Sequence, residues 1–178
     1  FNENLDRNLK DIFDGKKLTN ASFYVYIASK IDPSMAPEGK DGLYILMPVS
    51  NAAESDYEWN EETVAYYRGY ILNELKKIRG FENIENEIVV ETHTTPLDFR
   101  SKFNAHNGAT FGLQPILKQS NHYRPQSKAS HCENLYFTGS STHPGAGVPI
   151  VLLSAKIAAQ ELIQDDTGEL FDYSVKSR

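Results

Sequence analysis

Apolar positions recur along the chain with two different periods, and the switches between them mark the elements. Leu5, Leu9, Ile12 and Phe13 fall at helical spacing, which predicts a short helix over residues 2–13 that Gly15 stops. Residues 21–31, "ASFYVYIASKI", are rich in aromatic and β-branched side chains and read as a strand; so do residues 43–51, "LYILMPVSN". The turn-rich loop between them, with two prolines, predicts an antiparallel pair. From Asn60 the period lengthens, with Thr63, Val64, Tyr67, Ile71, Leu72, Leu75 and Ile78 on one helical face. Glu61 and Glu62 near its start and Lys76, Lys77 and Arg79 near its end suit the helix dipole, and Gly80 is the expected stop. Residues 86–95, "NEIVVETHTT", predict a third strand. Thr95-Pro96-Leu97-Asp98 then opens a helix expected to reach residue 104 or 106: a Thr cap, Pro at the first position and an acid in the first turn. Gly108 and Gly112 break the next stretch, residues 107–128, into an irregular segment. Residues 134–138 read as a short buried strand and 148–164 as a buried helix. Beyond Asp165 the chain is a polar tail. The fold class expected is α+β.

Composition narrows the functions. Charged residues are 24% and hydrophobic ones 40%, a globular balance. The net charge of -6 argues against a nucleic-acid partner, which needs a clustered basic face. The one cysteine, Cys132, excludes an internal disulfide framework and has no nucleophile context. His93, His106, His122 and His131 lack metal-ligand spacing, so no metal is expected. The longest apolar run, 148–153, is far below the roughly 18–20 residues of a membrane span. The opening "FNENLDRNLK" has no Met, basic n-region or apolar h-region, and looks like an excised piece of a longer protein.

The richest stretch is "GSSTHPGAGVP", residues 139–149, between a predicted strand and a predicted helix. Gly139, Gly145 and Gly147 allow close backbone approach, Pro144 and Pro149 stiffen the turn, and the helix N-terminus behind it favours negative charge. No Gly-Lys-Ser/Thr closes a P-loop. Ile150 stands where a dinucleotide fingerprint needs Gly or Ala. Two readings stay open from these residues: a cofactor-facing helix N-terminus, or a purely structural tight turn.

"NLYFTGSSTHPGAGVPIVLLSAKIAA" resembles the C-terminal flavin-binding segment of the bacterial carotenoid (phytoene) desaturase family. "DPSMAPEGKDGLYILMPVSN" and "TTPLDFRSKFNAHNGATFGLQPILKQSNHYRPQSK" are similar to two further segments of that family, in the family's order. "HPGAGVPIVLLSAK" looks most like its dehydrosqualene (4,4'-diapophytoene) branch. The resemblance implies the C-terminal part of an FAD-dependent, amine-oxidase-like flavoprotein. Residues 1–130 would be substrate domain, with antiparallel strands and helices. Residues 131–165 would supply the last strand and helix of the FAD domain, and 166–178 a polar tail.

It implies an oxidoreductase in which FAD desaturates a linear C30 or C40 polyisoprenoid lipid, in the cytoplasm and peripheral to the cell membrane. The fragment alone, without a dinucleotide fingerprint, would be inactive and would expose surface meant to be buried. The cofactor-binding residues implied are Gly139, Ser140, Thr142, Pro144, Gly145, Gly147, Val148 and Pro149, with the Gly147 and Val148 backbone N–H groups facing the flavin. His143 is the implied catalytic candidate, against the alternative of a histidine that holds the turn; Thr142 has the same alternative. Phe111 and Arg124 are the substrate-side candidates, Arg124 holding either the ligand or the loop. Phe23, Tyr24, Tyr26, Tyr44, Phe103 and Phe111 line an apolar tunnel or simply pack a core. An oxygenase or isomerase on the same scaffold, or a non-catalytic binding module, are the competing readings.

Overall fold

The computed structural model describes residues 4–114 and 116–168. The chain divides between Gly108 and Ala109 into two compact units.

The first unit opens with α1 (Leu5–Phe13), capped by the Asn4 side chain, which accepts from the Arg7 N–H at 3.0 Å. Its apolar face does not turn inward as a whole: Leu5, Leu9 and Phe13 are exposed, while Asn8 is buried and Ile12 packs on the core. Asn8 serves a backbone group there, its Oδ1 accepting from the Ser22 N–H at 3.2 Å. Gly15 ends the helix as expected, with φ +77; a Cβ there would lie 1.9 Å from the Glu54 carbonyl oxygen. The hairpin pairs β1 (Tyr24–Ile27) with β2 (Leu43–Leu46) antiparallel, Tyr24 opposite Leu46 and Ile27 opposite Leu43. Both strands are shorter than predicted. A 3-10 turn at Ala28–Lys30 ends β1, and Pro48, which has no N–H for a ladder, stands just beyond β2.

The core forms where α2 (Glu61–Leu75) meets the segment before β1. Leu18, Ala21 and Tyr67 are buried together, with Met47, Val49, Tyr57, Trp59, Tyr66 and Tyr70 against them. Leu18 and Ala21 lie outside any ladder, so their backbone groups need side-chain partners. Three tyrosines of α2 supply them. Tyr67 Oη accepts from the Leu18 N–H at 3.1 Å and Tyr66 Oη donates to the Leu18 carbonyl at 3.0 Å. Tyr70 Oη accepts from the Ala21 N–H at 2.9 Å and donates to the Ala21 carbonyl at 3.0 Å. The aromatic residues that build this core are therefore not those singled out from the strands. Tyr24, Tyr26, Tyr44 and Phe103 are exposed, and only Phe23 reaches it, edge-on to Tyr70.

Residues 86–95 form no strand. A single helical turn, α3 (Ile84–Glu87), takes up the start, and Val89 and Val90 stand 71% and 83% exposed. Their β-branched composition favours a strand only where a neighbour pairs with it, and the one sheet among the described residues is the two-stranded hairpin. Next comes α4 (Pro96–Phe103), with the expected capping box. The Asp98 carboxylate accepts from the Thr95 N–H at 2.8 Å and the Thr95 hydroxyl accepts from the Asp98 N–H at 3.3 Å. Asn104, at φ +55, closes it just after Phe103.

In the second unit, residues 134–138 make only one antiparallel bridge, Lys128 with Tyr136, and Leu135 and Phe137 are exposed rather than buried. α5 (Val148–Thr167) runs one turn past the predicted end, to Gly168 in the left-handed region. It is not a buried helix. Ser154 and Ala158 face inward, while Val148, Leu152 and Leu162, with Ala155 and Ala159 between them, form an exposed apolar stripe at alternating four- and three-residue spacing. The residues predicted as a tail from 169 onward lie outside the described residues.

Two stability predictions come from the first unit. Tyr67→Phe leaves the buried Leu18 N–H without an acceptor, an expected loss of roughly 1–3 kcal/mol in urea unfolding. Burial, with the Tyr57 hydroxyl second, raises the Tyr67 phenol well above its ordinary value. Its stabilisation is full below pH about 10 and falls as pH rises beyond that, and Tyr67→Phe abolishes this alkaline component. Conversely, the Lys102 ammonium and then the Thr95 N–H and hydroxyl hold the Asp98 carboxyl well below the usual carboxylate range. Asp98→Ala is expected to cost roughly 1 kcal/mol at pH 7. The gap to the unsubstituted chain should close as pH falls from about 4 through the depressed folded value.

Candidate functional site

Between residue 109 and α5 the described chain forms no helix beyond the 3-10 turns at Leu117–Gln119 and Asn121–Tyr123. Such a segment makes few ladder bonds, so its inward-facing carbonyls depend on side-chain donors. Arg124 provides them. Its guanidinium is buried and donates through Nε to the Ser140 carbonyl at 3.0 Å, through Nη1 to Gln119 at 2.8 Å and through Nη2 to Leu113 at 3.0 Å; Nη2 also reaches the Ser140 carbonyl. A planar fork of fixed donors suits three carbonyls arriving from different directions. Of the two roles open for Arg124, this geometry is that of a loop staple. Phe111, the other substrate-side candidate, is exposed.

Around Arg124 the glycine turn is built largely from its own backbone. Thr142 is buried, and both its N–H and its hydroxyl donate to the Gly139 carbonyl, at 3.2 and 2.9 Å. His143 donates its backbone N–H to the Pro125 carbonyl at 2.8 Å. Its Nδ1 lies 3.0 Å from the Asn121 carbonyl, which can only accept, so the bond needs the proton on Nδ1. The His143 ring thus holds the 121–125 segment against the turn. Pro144, joined to it by a cis peptide bond, is half-buried, and Gly145 is buried beside the Arg124 side chain. Gly112 passes close to the turn hydroxyls: a Cβ there would sit 2.2 Å from Ser141 Oγ and 3.0 Å from Ser140 Oγ.

The turn and the start of α5 leave backbone open on one side. Gly139, Gly145 and Gly147 have φ of +128, +143 and +105, a region closed to most side chains. No heavy atom lies within 4 Å of a Cβ built on Gly139, so a ligand atom can approach that Cα directly. Gly147 is the N-cap of α5 without a side-chain cap, Val148 and Pro149 are the first two helical residues, and the Val151 N–H bonds the Gly147 carbonyl at 2.8 Å. Pro149 has no N–H. The first-turn donors without an intrahelical acceptor are therefore Val148 and Ile150, both on exposed residues. Aligned N–H groups at the positive end of a 20-residue helix fit an electron-rich or anionic edge, as a flavin ring presents.

The Gly139 N–H is taken by Ser154 Oγ at 3.0 Å, leaving its bare Cα face as what it can offer a ligand. Ser154 was not singled out from the sequence. A lone hydroxyl inside the apolar run "VLLSAKIAA" was the available signal.

Away from this turn, the first unit carries an open groove of about 1040 Å³ lined by Trp59, Val64, Arg68, His93, Leu97 and Arg100 among others. It includes none of the predicted site residues, and its Arg68 is paired with Glu91 at 2.8 Å. Among the described residues no group of three or more His, Cys, Asp and Glu could hold a metal ion, and no helix is long and apolar enough to cross a membrane.

Arg124→Lys replaces the fork with a single ammonium that cannot serve all three carbonyls. It is expected to cost roughly 2–3 kcal/mol, read as a lower urea midpoint and as faster amide exchange at Thr142 and His143.

Comparison with known proteins points the same way. Residues 3–163 match the flavin containing amine oxidoreductase family. The chain is 45% identical over 159 residues to a 4,4'-diapophytoene desaturase (4,4'-diaponeurosporene-forming) of Staphylococcus haemolyticus (strain JCSC1435), covering 89% of this chain and 32% of the relative. It is 45% identical over 167 residues to the enzyme of the same name in Staphylococcus aureus (strain Newman), covering 93% of this chain and 33% of that protein. The chain spans about a third of the length of these relatives. Its matched span and glycine turn place it together with them: the chain belongs to the flavin containing amine oxidoreductase family.

Proposed function

We propose that the chain is the carboxy-terminal third of an FAD-dependent desaturase acting on 4,4'-diapophytoene or a close linear polyisoprenoid. One observation carries this reading: the 45% identity to proteins named 4,4'-diapophytoene desaturases takes in 93% of the chain, and so the whole glycine turn and the start of α5. The exposed apolar stripe of α5 supports a chain that works as part of a larger flavoprotein, because a stripe of that size is ordinarily covered. In this reading residues 1–130 belong to the substrate domain and 131–165 contribute the last strand segment and helix of the FAD domain.

When bound, FAD supplies the redox chemistry, taking hydrogen from a C–C unit of the lipid. This chain's residues supply position. The Val148 and Ile150 N–H groups would hold the electron-rich edge of the ring system, and as fixed donors they would need no reorganisation to do so. Gly139 and Gly147 let the backbone approach closely, and Ser140, beside Gly139, offers an uncharged hydroxyl. Thr142 and Arg124 shape the turn through bonds to its backbone, and His143 ties it to the Asn121 carbonyl. A polyisoprenoid substrate resides in a bilayer, which supports a whole enzyme attached peripherally to the cell membrane, on the cytoplasmic side in this reading.

The test is the full flavoprotein that carries this chain, purified with FAD and supplied with 4,4'-diapophytoene and an electron acceptor. A visible polyene spectrum that lengthens with time is expected. An unchanged chromophore with FAD stoichiometrically bound overturns the desaturase reading. The 178-residue chain alone is expected to bind FAD weakly or not at all by flavin fluorescence; tight stoichiometric binding would overturn its being one part of the site.

A further inference from the structure

Ser154 is fully buried, and its hydroxyl has all its bonding capacity used. It donates its proton to the Val151 carbonyl at 2.7 Å. It therefore accepts at its other two contacts: from the Gly139 N–H at 3.0 Å and from the Thr138 hydroxyl at 2.9 Å, which must be the donor. Val151 in turn donates its N–H to the Gly147 carbonyl at 2.8 Å. One oxygen thus ties the residues that enter the turn, Thr138 and Gly139, to the first turn of α5 that leaves it. From the other side Arg124 grips the Ser140 carbonyl through Nε at 3.0 Å. The residues on both sides of the Gly139–Ser140 peptide bond are held, and only the helix side of that hold runs through Ser154.

We propose that Ser154 is a positioning residue for the flavin site: it sets the register between the open face of Gly139 and the Val148 and Ile150 N–H groups, and through them the reduction potential of the bound cofactor. The inference rests on the proposed function. Its physical basis is that helix N-terminal donors stabilise charge on a ligand only within about one turn and only when aimed at it. A turn free to shift against α5 aims them less well. A serine at this depth in an apolar helix is otherwise a poor choice. Alanine has higher helix propensity, and a buried hydroxyl is retained only where its partners need it.

The experiment has two arms. In the 178-residue chain, Ser154→Ala should speed amide exchange at Gly139 at least tenfold, since that N–H loses its acceptor. In the full flavoprotein, Ser154→Ala should weaken FAD binding several-fold and move the flavin midpoint potential to more negative values, with the substrate KM little changed. Thr138→Val, an exposed position that gives up one of the three bonds, should shift the potential the same way by less; it serves if Ser154→Ala does not fold. A potential within error of the unsubstituted enzyme in every variant that binds FAD overturns the inference. If the unsubstituted flavoprotein itself binds no FAD, the proposed function fails, a different outcome.

Discussion

Buried backbone polar groups must find partners, and this chain has very little sheet with which to provide them. Its one sheet among the described residues has two strands of four residues each. Much of what else is buried and not helical depends on side chains reaching the backbone. In the first unit three tyrosines of α2 satisfy both polar groups of Leu18 and of Ala21. In the second, Arg124 serves carbonyls of Leu113, Gln119 and Ser140, and Ser154 serves the Gly139 N–H. The same solution recurs because an unmade buried hydrogen bond costs about as much as burying a large apolar side chain gains.

That arrangement decides what the glycine turn can do. The Thr142 hydroxyl, the His143 Nδ1 and the Arg124 guanidinium are engaged in holding the turn, and the backbone left open is the Cα of Gly139 and the first N–H groups of α5. A backbone surface of this kind suits the polar edge of a planar ligand, as the proposed function requires. It also explains the concentration of glycine and proline there. A side chain at a φ of +128 or +143 would be strained, and Pro149 removes a donor from the helix start without costing a helical bond.

Local signals carried well into the structure. The Thr95–Asp98 capping box, the stop at Gly15 and the helix start after Asn60 depend on neighbours within a few residues, and each stands where its pattern lies, although α2 ends at Leu75, before the Gly80 expected to stop it. The hairpin was legible too, because its partner strands are close in sequence. Signals that needed a distant partner misled. The valines at 89 and 90 read as a strand, and Leu135 and Phe137 as a buried one, although no ladder receives the former and a single bridge the latter. The apolar character of α5 was plain, but composition does not say what covers it.

The sequence by itself determined the starts of α2, α4 and α5, the hairpin, the position of the glycine turn and, through motif order, the flavoprotein family. Only the tertiary structure decided which side chains serve that turn. It assigned Arg124 to carbonyls, His143 to the Asn121 carbonyl and Ser154 to the Gly139 N–H. The reason is separation along the chain. A cap or a turn is specified by residues three or four apart, whereas Ser154 and Gly139 stand 15 positions apart and His143 and Asn121 stand 22. Pairings at that distance exist only once packing has brought the segments together.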